Sequence, residues 1–380
     1  MASIDFKYHE ILRRILDEGI DKGDRTGTGT CSIFSHTLEY DMKDGFPLLT
    51  TKKMFTKGII TELLWFLNGD TNLRALVEQG NNIWVGDAHK KYLKENVALL
   101  YESEASTLLE GHKKNGVKKE DFIELIKTDD EFNEKWGDLG PIYGKQWVDW
   151  SVGELESKKT GEIYPSGEFK YSFNRKGINQ IQNAIDMLNN NPDGRRIMVS
   201  VWNPAEISYM ILPPCHWAFE FYTEELTRKE RMTLLNTQEN TSIELSDLTE
   251  WFGISKETEM DSLLNEKGIP KRRLSLKWHQ RSVDVPLGLP FNIASYAFLL
   301  EMFAQQVNMV PDKLIGDLTN VHIYQNQLDG VREQLANDVN EYEAPKLVLT
   351  KAEDVFSYKL EDFELVGYES YPTIKYPLSN

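Results

Sequence analysis

The sequence has little cysteine: Cys31 and Cys215 are the two cysteines among its 380 residues. Two cysteines cannot build the disulfide framework of a small secreted domain, so we expect free thiols in a reducing, cytoplasmic environment. No cluster of cysteine and histidine has the spacing of zinc ligands, and we expect no metal. No apolar run is long enough to span a bilayer and no signal-peptide pattern begins the chain, so we expect no membrane partner.

Basic residues are also scarce relative to acidic ones. The 43 lysines and arginines are outnumbered by 60 aspartates and glutamates, which gives a formal net charge of -17 at pH 7. Binding to a nucleic acid polymer depends on many basic contacts to phosphates, so this balance argues against a direct nucleic-acid partner. An anionic small substrate would need a local cationic pocket, for which the candidates are Arg25, Arg195, Arg196 and Arg281.

The hydrophobic pattern predicts an α+β fold in which helices and strands are interleaved irregularly. We predict one domain over residues 1–380, with charged surface insertions at 90–132 and 223–273 and a small helical unit at 245–254 within the second. The predicted helices cover 8–19, 59–67, 72–78, 178–189 and 293–307, and the predicted strands cover 28–40, 197–202, 217–222, 274–279 and 361–368.

A possible nucleophile lies just downstream of an arginine pair. Arg195-Arg196 is followed by the run Leu212-Pro213-Pro214-Cys215-His216. A thiolate is a strong nucleophile, nearby positive charge favours it, and paired arginines can clamp an anion. A lone cysteine is nevertheless more often a core residue, and neighbouring strand residues point to opposite faces, so His216 need not be the base for Cys215. An exposed arginine pair can also be an ordinary solvated surface.

Three further segments carry polar groups that could bind a small ligand. Arg25 begins the Gly/Thr-rich stretch 25–30, which is either a phosphate loop or an ordinary turn. In the segment 280–296, Arg281 and Ser282 could bind phosphate oxygens, and Asn292 is either a helix N-cap or a reader of an amide-like base edge. In 321–324 the alternation places His322 and Tyr324 on one face of a strand, where they could bind two sugar hydroxyls.

Two residues remain ambiguous on pattern alone. Glu62 lies in an apolar helix, where a carboxylate either faces the surface or is buried for a task, and the helical pattern favours the surface. Tyr143 is either a proton relay or a core aromatic residue.

Taken together, these segments resemble the thymidylate synthases and their relatives, the pyrimidine nucleotide hydroxymethylases. The matching segments follow the family order over nearly the whole chain, at 24–30, 46–53, 62–67, 69–72, 143–147, 195–203, 213–216 and 280–296. The resemblance implies the thymidylate synthase fold, with a mixed twisted β-sheet at the interface of a homodimer and helices covering the sheet.

The resemblance also implies a reaction on dUMP with 5,10-methylenetetrahydrofolate as co-substrate. Cys215 would add to C6 of the uracil ring, and C5 would take the one-carbon unit. Glu62 would organise proton transfer at O4, and Tyr143 would assist removal of the C5 proton. The remaining residues implied to take part in catalysis are Asp284 and His216.

Binding roles follow from the same resemblance. The phosphate would be held by Arg25, Arg281 and Ser282, together with Arg195 and Arg196 reaching across the dimer. Asn292 would read N3 and O4 of the base, with Gln280 in the same substrate site, and His322 and Tyr324 would hold the sugar hydroxyl. Since the deoxycytidylate enzymes carry Asp at the position of Asn292, we predict dUMP over dCMP. The implied folate site consists of Lys52, Trp84, Asp284, Leu287, Gly288 and Phe291.

The chain departs from the synthases mainly on the folate side. It differs at 83–87, at Glu220, at 318–320 and in the tail 378–380, where the synthases have a short apolar end that closes over the folate. A looser, more polar lid would admit water to the reacting methylene group. These departures favour a dUMP hydroxymethylase that makes 5-hydroxymethyl-dUMP, in a bacteriophage setting, with a thymidylate synthase making dTMP and dihydrofolate as the alternative. A non-catalytic regulator is disfavoured because the nucleophile and the phosphate arginines are present.

Overall fold

A computed structural model describes residues 3–102, 116–153, 158–163, 169–172, 175–241 and 257–379. The predicted helical unit at 245–254 and the final residue Asn380 lie outside the described residues.

The described helices and strands confirm a mixed α/β content. The helices are α1 Ile4–Glu18, α2 Thr56–Leu67, α3 Arg74–Glu78, α4 Val85–Glu102, α5 Lys119–Thr128, α6 Asp130–Trp136, α7 Tyr143–Val148, α8 Gln180–Asn190, α9 Arg228–Glu239, α10 Glu257–Glu266, α11 Gly288–Gln306 and α12 Leu328–Ala336. The strands are β1 Ile20–Lys22, β2 Thr30–Asp41, β3 Trp150–Gly153, β4 Lys158–Ile163, β5 Phe169–Ser172, β6 Arg175–Ile178, β7 Met198–Ser200, β8 His216–Glu225, β9 Arg272–Gln280, β10 Val283–Asp284, β11 Val310–Tyr324, β12 Lys346–Leu349 and β13 Phe363–Val366.

The chain divides into two compact units. The first comprises Met1–Ile60, Ile185–Met198 and Ala218–Ser379, and the second comprises Thr61–Ala184, Val199–Trp217 and Asn380. This division into units does not test whether residues 1–380 form one domain with surface insertions, which stays a prediction.

The first unit contains a mixed β-sheet with the strand order β1-β2-β11-β9-β8, and β10 pairs with β11. Strand β11 runs antiparallel to β2 and parallel to β9 and β10, so it receives hydrogen bonds on both sides. In β9 the residues Leu274, Leu276, Trp278 and Gln280 are buried while their neighbours are partly exposed, as the two-residue period of a strand requires. The apolar helix α11 is buried around much of its surface, which places it in the core.

The segment 223–273 adds a small helical layer to the first unit. In its described part, α9 and α10 bury an apolar cluster of their own: Met232, Leu235, Met260, Leu264 and Ile269. Arg231 is 6% exposed, and its guanidinium donates hydrogen bonds to the carbonyl oxygens of Ile269 and Pro270. The layer is therefore held by a core and by buried polar contacts as well as by surface charge.

The second unit is rich in helices and in contacts between aromatic rings. The segment 90–132 contributes Tyr92 and Phe122, whose ring centroids lie 5.4 Å apart. A close approach of α2 and α7 depends on Gly144, because a Cβ there would lie 2.5 Å from the carbonyl oxygen of Phe66. This approach puts the ring of Tyr143 4.9 Å from that of Phe66. In the described part of the chain, no helix is both long and apolar enough to cross a membrane.

Candidate active site

Cys215 lies immediately before strand β8, in the second unit, and its side chain is partly exposed. Its backbone N–H donates a hydrogen bond of 2.8 Å to the phenol oxygen of Tyr143. Tyr143 begins helix α7 and is 3% exposed. A phenol oxygen can accept such a bond while its own proton is donated to another acceptor. The structure thus brings the predicted nucleophile and the predicted proton relay together.

His216 belongs to the same cluster, but its imidazole does not carry the positive charge that would favour the Cys215 thiolate. Its imidazole stacks on the Tyr143 ring with the centroids 4.2 Å apart. Burial lowers the pKa of His216 to about 3, so the ring is neutral near pH 7. A neutral imidazole supplies no positive charge to stabilise the Cys215 thiolate. The catalytic role of His216 stays a prediction, and its visible contribution is to pack against Tyr143.

Glu62 is partly buried in the second unit, whereas the helical pattern favours an exposed side chain. The indole N–H of Trp84 donates a hydrogen bond of 2.8 Å to Glu62 Oε1. Burial raises the pKa of Glu62 to about 7, although the bond from Trp84 opposes that rise. The rings of Trp84 and Tyr143 meet edge to face at 6.0 Å. A carboxyl group with this pKa can gain and lose a proton near neutral pH.

The first unit gathers most of the predicted nucleotide-binding residues around β9, β10 and β11. Gln280 is 3% exposed, and its amide N–H₂ donates to Asn292 Oδ1 at 3.1 Å and to the carbonyl oxygen of Ser282 at 3.1 Å. The amide oxygen of Gln280 in turn accepts from the indole of Trp278. This chain of bonds fixes which end of the Asn292 amide donates and which accepts.

Asn292 is not an N-cap, because α11 begins at Gly288, four residues before Asn292 itself. With its oxygen oriented by Gln280, Asn292 presents its two N–H donors and the second lone pair of that oxygen. This pattern matches a base edge that has one carbonyl acceptor beside one N–H donor.

The predicted pair on β11 shares one face, as the strand period requires. The His322 and Tyr324 rings meet edge to face with their centroids 5.1 Å apart. His322 Nδ1 lies 2.9 Å from the carbonyl oxygen of Asn320, which fixes Nδ1 as the protonated nitrogen and directs Nε2 away. In the parallel ladder, His322 is the register partner of Asp284.

The buried Lys52 and the partly buried Asp284 influence each other electrostatically. Asp284 accepts hydrogen bonds from the backbone N–H of Leu287 at 3.2 Å and from the side-chain amide of Gln327 at 3.3 Å. Burial raises the pKa of Asp284, and these two bonds together with His322 and Lys52 oppose the rise. Lys52 is 5% exposed and donates to the carbonyl oxygen of Pro286. Burial lowers the pKa of Lys52 to about 8, and Asp284 opposes that change.

The predicted phosphate-binding arginines lie at the surface of the first unit. Arg25 is exposed on a loop held by Asp24, whose carboxylate accepts from the N–H groups of Thr26 and Gly29 at 2.7 Å each. Arg195 and Arg196 are exposed and follow α8, while Arg281 is half-buried. Within the part of the chain that the structure describes, Arg25, Arg195 and Arg196 form no ion pair.

The predicted folate residues occupy the start of α11 and the segment before it. Gly288 begins the helix, Leu287 precedes it, and Phe291 lies partly exposed in its first turn. Two residues that no sequence pattern singled out also lie here, since Gln327 donates to Asp284 and the Tyr376 ring lies beside the Lys52 ammonium. No local pattern marks either residue, because each gains its place through contacts with residues far away in the sequence.

Comparison with known proteins gives matches over almost the whole chain. A family model described as thymidylate synthase matches residues 6–380. A protein named thymidylate synthase from Staphylococcus haemolyticus is 35% identical over 390 aligned positions, which cover 100% of this chain and 99% of that protein. A thymidylate synthase from Listeria monocytogenes is 34% identical, with 98% and 99% covered, and one from Corynebacterium aurimucosum is 35% identical, with 99% and 98% covered.

Proposed function

Because the chain belongs to the thymidylate synthase family of one-carbon transferases, we propose that it converts dUMP and 5,10-methylenetetrahydrofolate into dTMP and dihydrofolate. The observation that carries the proposal is the cluster of Cys215, Tyr143 and Glu62 in a chain that matches the family from residue 6 to residue 380. The three relatives described above are all named thymidylate synthase, which favours the methyl product over the hydroxymethyl product.

The first step is covalent addition of the nucleophile. The Cys215 sulfur forms a bond to C6 of uracil, and the π electrons of the C5–C6 bond move towards O4. Glu62 supplies or receives a proton near O4, for which a pKa of about 7 is suited. Tyr143, held by the amide of Cys215, assists removal of the C5 proton after the one-carbon unit has joined C5.

The proposed nucleotide is dUMP. Uracil presents an O4 acceptor beside an N3–H donor, and Asn292, oriented by Gln280, offers the matching donor and acceptor. Arg25, Arg281 and Ser282 would hold the phosphate, and His322 and Tyr324 the sugar hydroxyl. Turnover of dUMP and dCMP offered together tests this assignment. We expect a higher kcat/KM for dUMP, and an equal kcat/KM for dCMP would contradict the assignment.

The proposed folate site fits a ring with one apolar face and one polar edge. Asp284 offers a carboxylate to the N–H groups of that edge, and Leu287 and Phe291 offer apolar surface beside it. Lys52, Gly288 and Trp84 complete the proposed set. The bound folate would donate the one-carbon unit and then the hydride, while the protein residues bind it and limit the access of water.

A homodimer is part of the proposal. The main sheet exposes large apolar side chains on β2 and β8, where Phe34 is 81% exposed and Tyr222 is 66% exposed. Apolar residues of this size are expected to be covered by a second copy of the chain. In that assembly, Arg195 of the partner subunit and Arg196 of the partner subunit would complete the phosphate site, where the net charge of -17 would otherwise repel an anion.

A dUMP hydroxymethylase is the second candidate. It is favoured by Val85, Gly86 and Leu378, which differ from the residues usual in the synthases. Val85 and Gly86 follow Trp84 of the proposed folate site, and Leu378 lies in the tail. The three relatives described are bacterial thymidylate synthases, so the comparisons favour the synthase and lend no support to a bacteriophage setting.

Product analysis separates the two candidates. The purified protein is incubated with dUMP and 5,10-methylenetetrahydrofolate, the dihydrofolate absorbance is followed, and the nucleotides are resolved by mass spectrometry. We expect dTMP and dihydrofolate in equal amounts. If 5-hydroxymethyl-dUMP forms without dihydrofolate, the synthase proposal is wrong and the hydroxymethylase is correct.

A further inference from the structure

The C-terminal segment of the first unit, residues 371–379, lies against helix α12. Along this segment Ile374 and Tyr376 are each 9% exposed, while Lys375 and Pro377 between and after them are exposed. The alternation shows that the segment is extended and that one side of it is packed. Tyr376 is the last large buried side chain before the end of the described chain.

Tyr376 contacts α12 through a hydrogen bond that its hydroxyl group donates and through close packing of its ring. Its oxygen lies 2.7 Å from Gln334 Oε1 and 3.0 Å from the carbonyl oxygen of Gly330, and both are acceptors. A Cβ on Gly330 would lie 2.7 Å from the Tyr376 ring, so the ring rests directly on a helix position without a side chain. Gln334 is itself fully buried and donates to Thr51.

The same ring covers the buried ammonium of Lys52. The Lys52 Nζ lies 4.8 Å from the centroid of the Tyr376 ring, within the range of a cation–π contact. The next residue, Pro377, accepts a hydrogen bond of 3.2 Å from Gln327, and the same Gln327 amide donates to Asp284 at 3.3 Å. The C-terminal segment, Lys52 and Asp284 are thus joined through two adjacent residues of the segment.

We propose that Tyr376 is a positioning residue that latches the C-terminal segment over Lys52 and Asp284 and thereby determines the ratio of methyl to hydroxymethyl product. This inference rests on the proposed function. The exocyclic methylene on C5 either accepts hydride from tetrahydrofolate, which is oxidised to dihydrofolate, or accepts the oxygen of water, whose proton is released while tetrahydrofolate is not oxidised. A latched segment excludes water and favours hydride transfer. Leu378 is exposed and Ser379 is partly exposed and hydrogen-bonded to Asn326 at the surface, so Tyr376 supplies the buried anchor.

The test compares Tyr376→Ala, which loses both contacts, with Tyr376→Phe, which keeps the ring over Lys52 and loses the hydrogen bond. For each variant we would measure hydrogen–deuterium exchange of residues 371–379, KM for the folate, and the ratio of 5-hydroxymethyl-dUMP to dTMP. We expect exchange about fivefold faster in Tyr376→Phe, as loss of one hydrogen bond allows, and faster still in Tyr376→Ala. The hydroxymethyl fraction should rise in the same order, while binding of dUMP without folate stays unchanged.

Two further variants keep the test decisive. Gly330→Ala favours the helix but displaces the Tyr376 ring, so it should reproduce the effect without removing the tyrosine. Tyr371→Phe is the matched control, because this nearby tyrosine contacts the backbone N–H of Asp338 instead of α12 and should leave the product ratio unchanged.

The outcomes distinguish the latch from the proposed function. Faster exchange with an unchanged product ratio in Tyr376→Ala and Gly330→Ala would overturn the role in product choice, and unchanged exchange would overturn the latch itself. If the unmodified protein makes neither product, the proposed function fails, while deuterium exchange and folate binding still decide whether Tyr376 latches the segment.

Discussion

Glu62 shows how much of the chemistry depends on the surroundings of a single side chain. Burial raises its pKa to about 7, and the hydrogen bond from Trp84 partly opposes the rise. The neutral carboxyl group is therefore favoured in the folded protein. Its contribution to stability is fully present below the ordinary glutamate pKa and is lost as the pH rises through about 7.

Glu62→Gln should separate the catalytic role of this group from its effect on stability. We expect kcat to fall by about 10²-fold or more, because a general acid–base group is removed, while dUMP binding persists. The variant should also be more stable than the unmodified protein above pH 7, by on the order of 2 kcal/mol, and show no such gain near pH 4. Urea unfolding at both pH values measures this difference. An equal difference at the two pH values would contradict the raised pKa.

Cys215→Ser should abolish turnover and leave nucleotide binding measurable. A serine hydroxyl is a far weaker nucleophile than a thiolate, so we expect kcat to fall by about 10⁴-fold or more. The matched control is Cys31→Ser, since the thiol of Cys31 is half-buried, donates to the carbonyl oxygen of Ile15 and has a pKa raised by burial. Turnover measured with dUMP and the folate decides the matter, and activity retained by Cys215→Ser would remove Cys215 from the mechanism.

At the scale of elements, the described part of the segment 223–273 behaves as a packed layer. Helices α9 and α10 share an apolar cluster. Beside it, the buried Arg231 donates a hydrogen bond to the carbonyl oxygen of Pro270. Sequence charge alone predicted a solvated surface insertion here. The buried face was hidden because the apolar residues are separated by charged ones and their partners lie on two different helices.

Arg231→Ala should test whether this layer is structural. The change leaves the carbonyl oxygens of Ile269 and Pro270 without their donor, which we expect to cost about 2–3 kcal/mol of unfolding free energy. Lys229→Ala on the same helix is the control, and we expect it to change stability by about 0.5 kcal/mol or less. Denaturant unfolding gives both values, while kcat should be unchanged in both variants. A fall in kcat for Arg231→Ala at a temperature where the variant is fully folded would show that the layer serves the reaction.

At the scale of the whole molecule, the proposed reaction requires two chains. The net charge of -17 repels a nucleotide phosphate in general, so binding depends on a local concentration of arginines. Arg25 and Arg281 come from one chain, and the proposal takes a second pair from the partner subunit. Loss of the dimer should therefore remove activity even when each chain stays folded.

Phe34→Asp combined with Tyr222→Asp should produce this loss. Both side chains are exposed on the main sheet, and a charge at each would be buried without a partner in the dimer. Sedimentation should show a monomer, circular dichroism an intact fold, and the turnover assay little activity. Val348→Asp is the control, because Val348 is 51% exposed on β12, outside the main sheet. A double variant that remains dimeric and active would rule out this face as the interface.

The success of the sequence predictions depended on the range of the interactions involved. The helix at 178–189 and the strand at 274–279 were predicted to within a few residues, since their apolar periods are local. Residues 310–320 of β11 were missed, because Asp312, Lys313 and Gly316 break the alternation. That strand is specified by hydrogen bonds to β2 and β9 on its two sides, which no local pattern contains.

The sequence by itself determined the family and predicted the nucleophile Cys215 and the nucleotide-binding residues, because these predictions rest on short runs whose residue types the chemistry requires. Tertiary structure decided the protonation of His216 and Glu62, since a pKa depends on desolvation and on neighbours that only packing supplies. It also placed Tyr376 over Lys52, a contact between residues at opposite ends of the chain. The proposed latch at Tyr376 therefore depends on the folded molecule and not on any local sequence pattern.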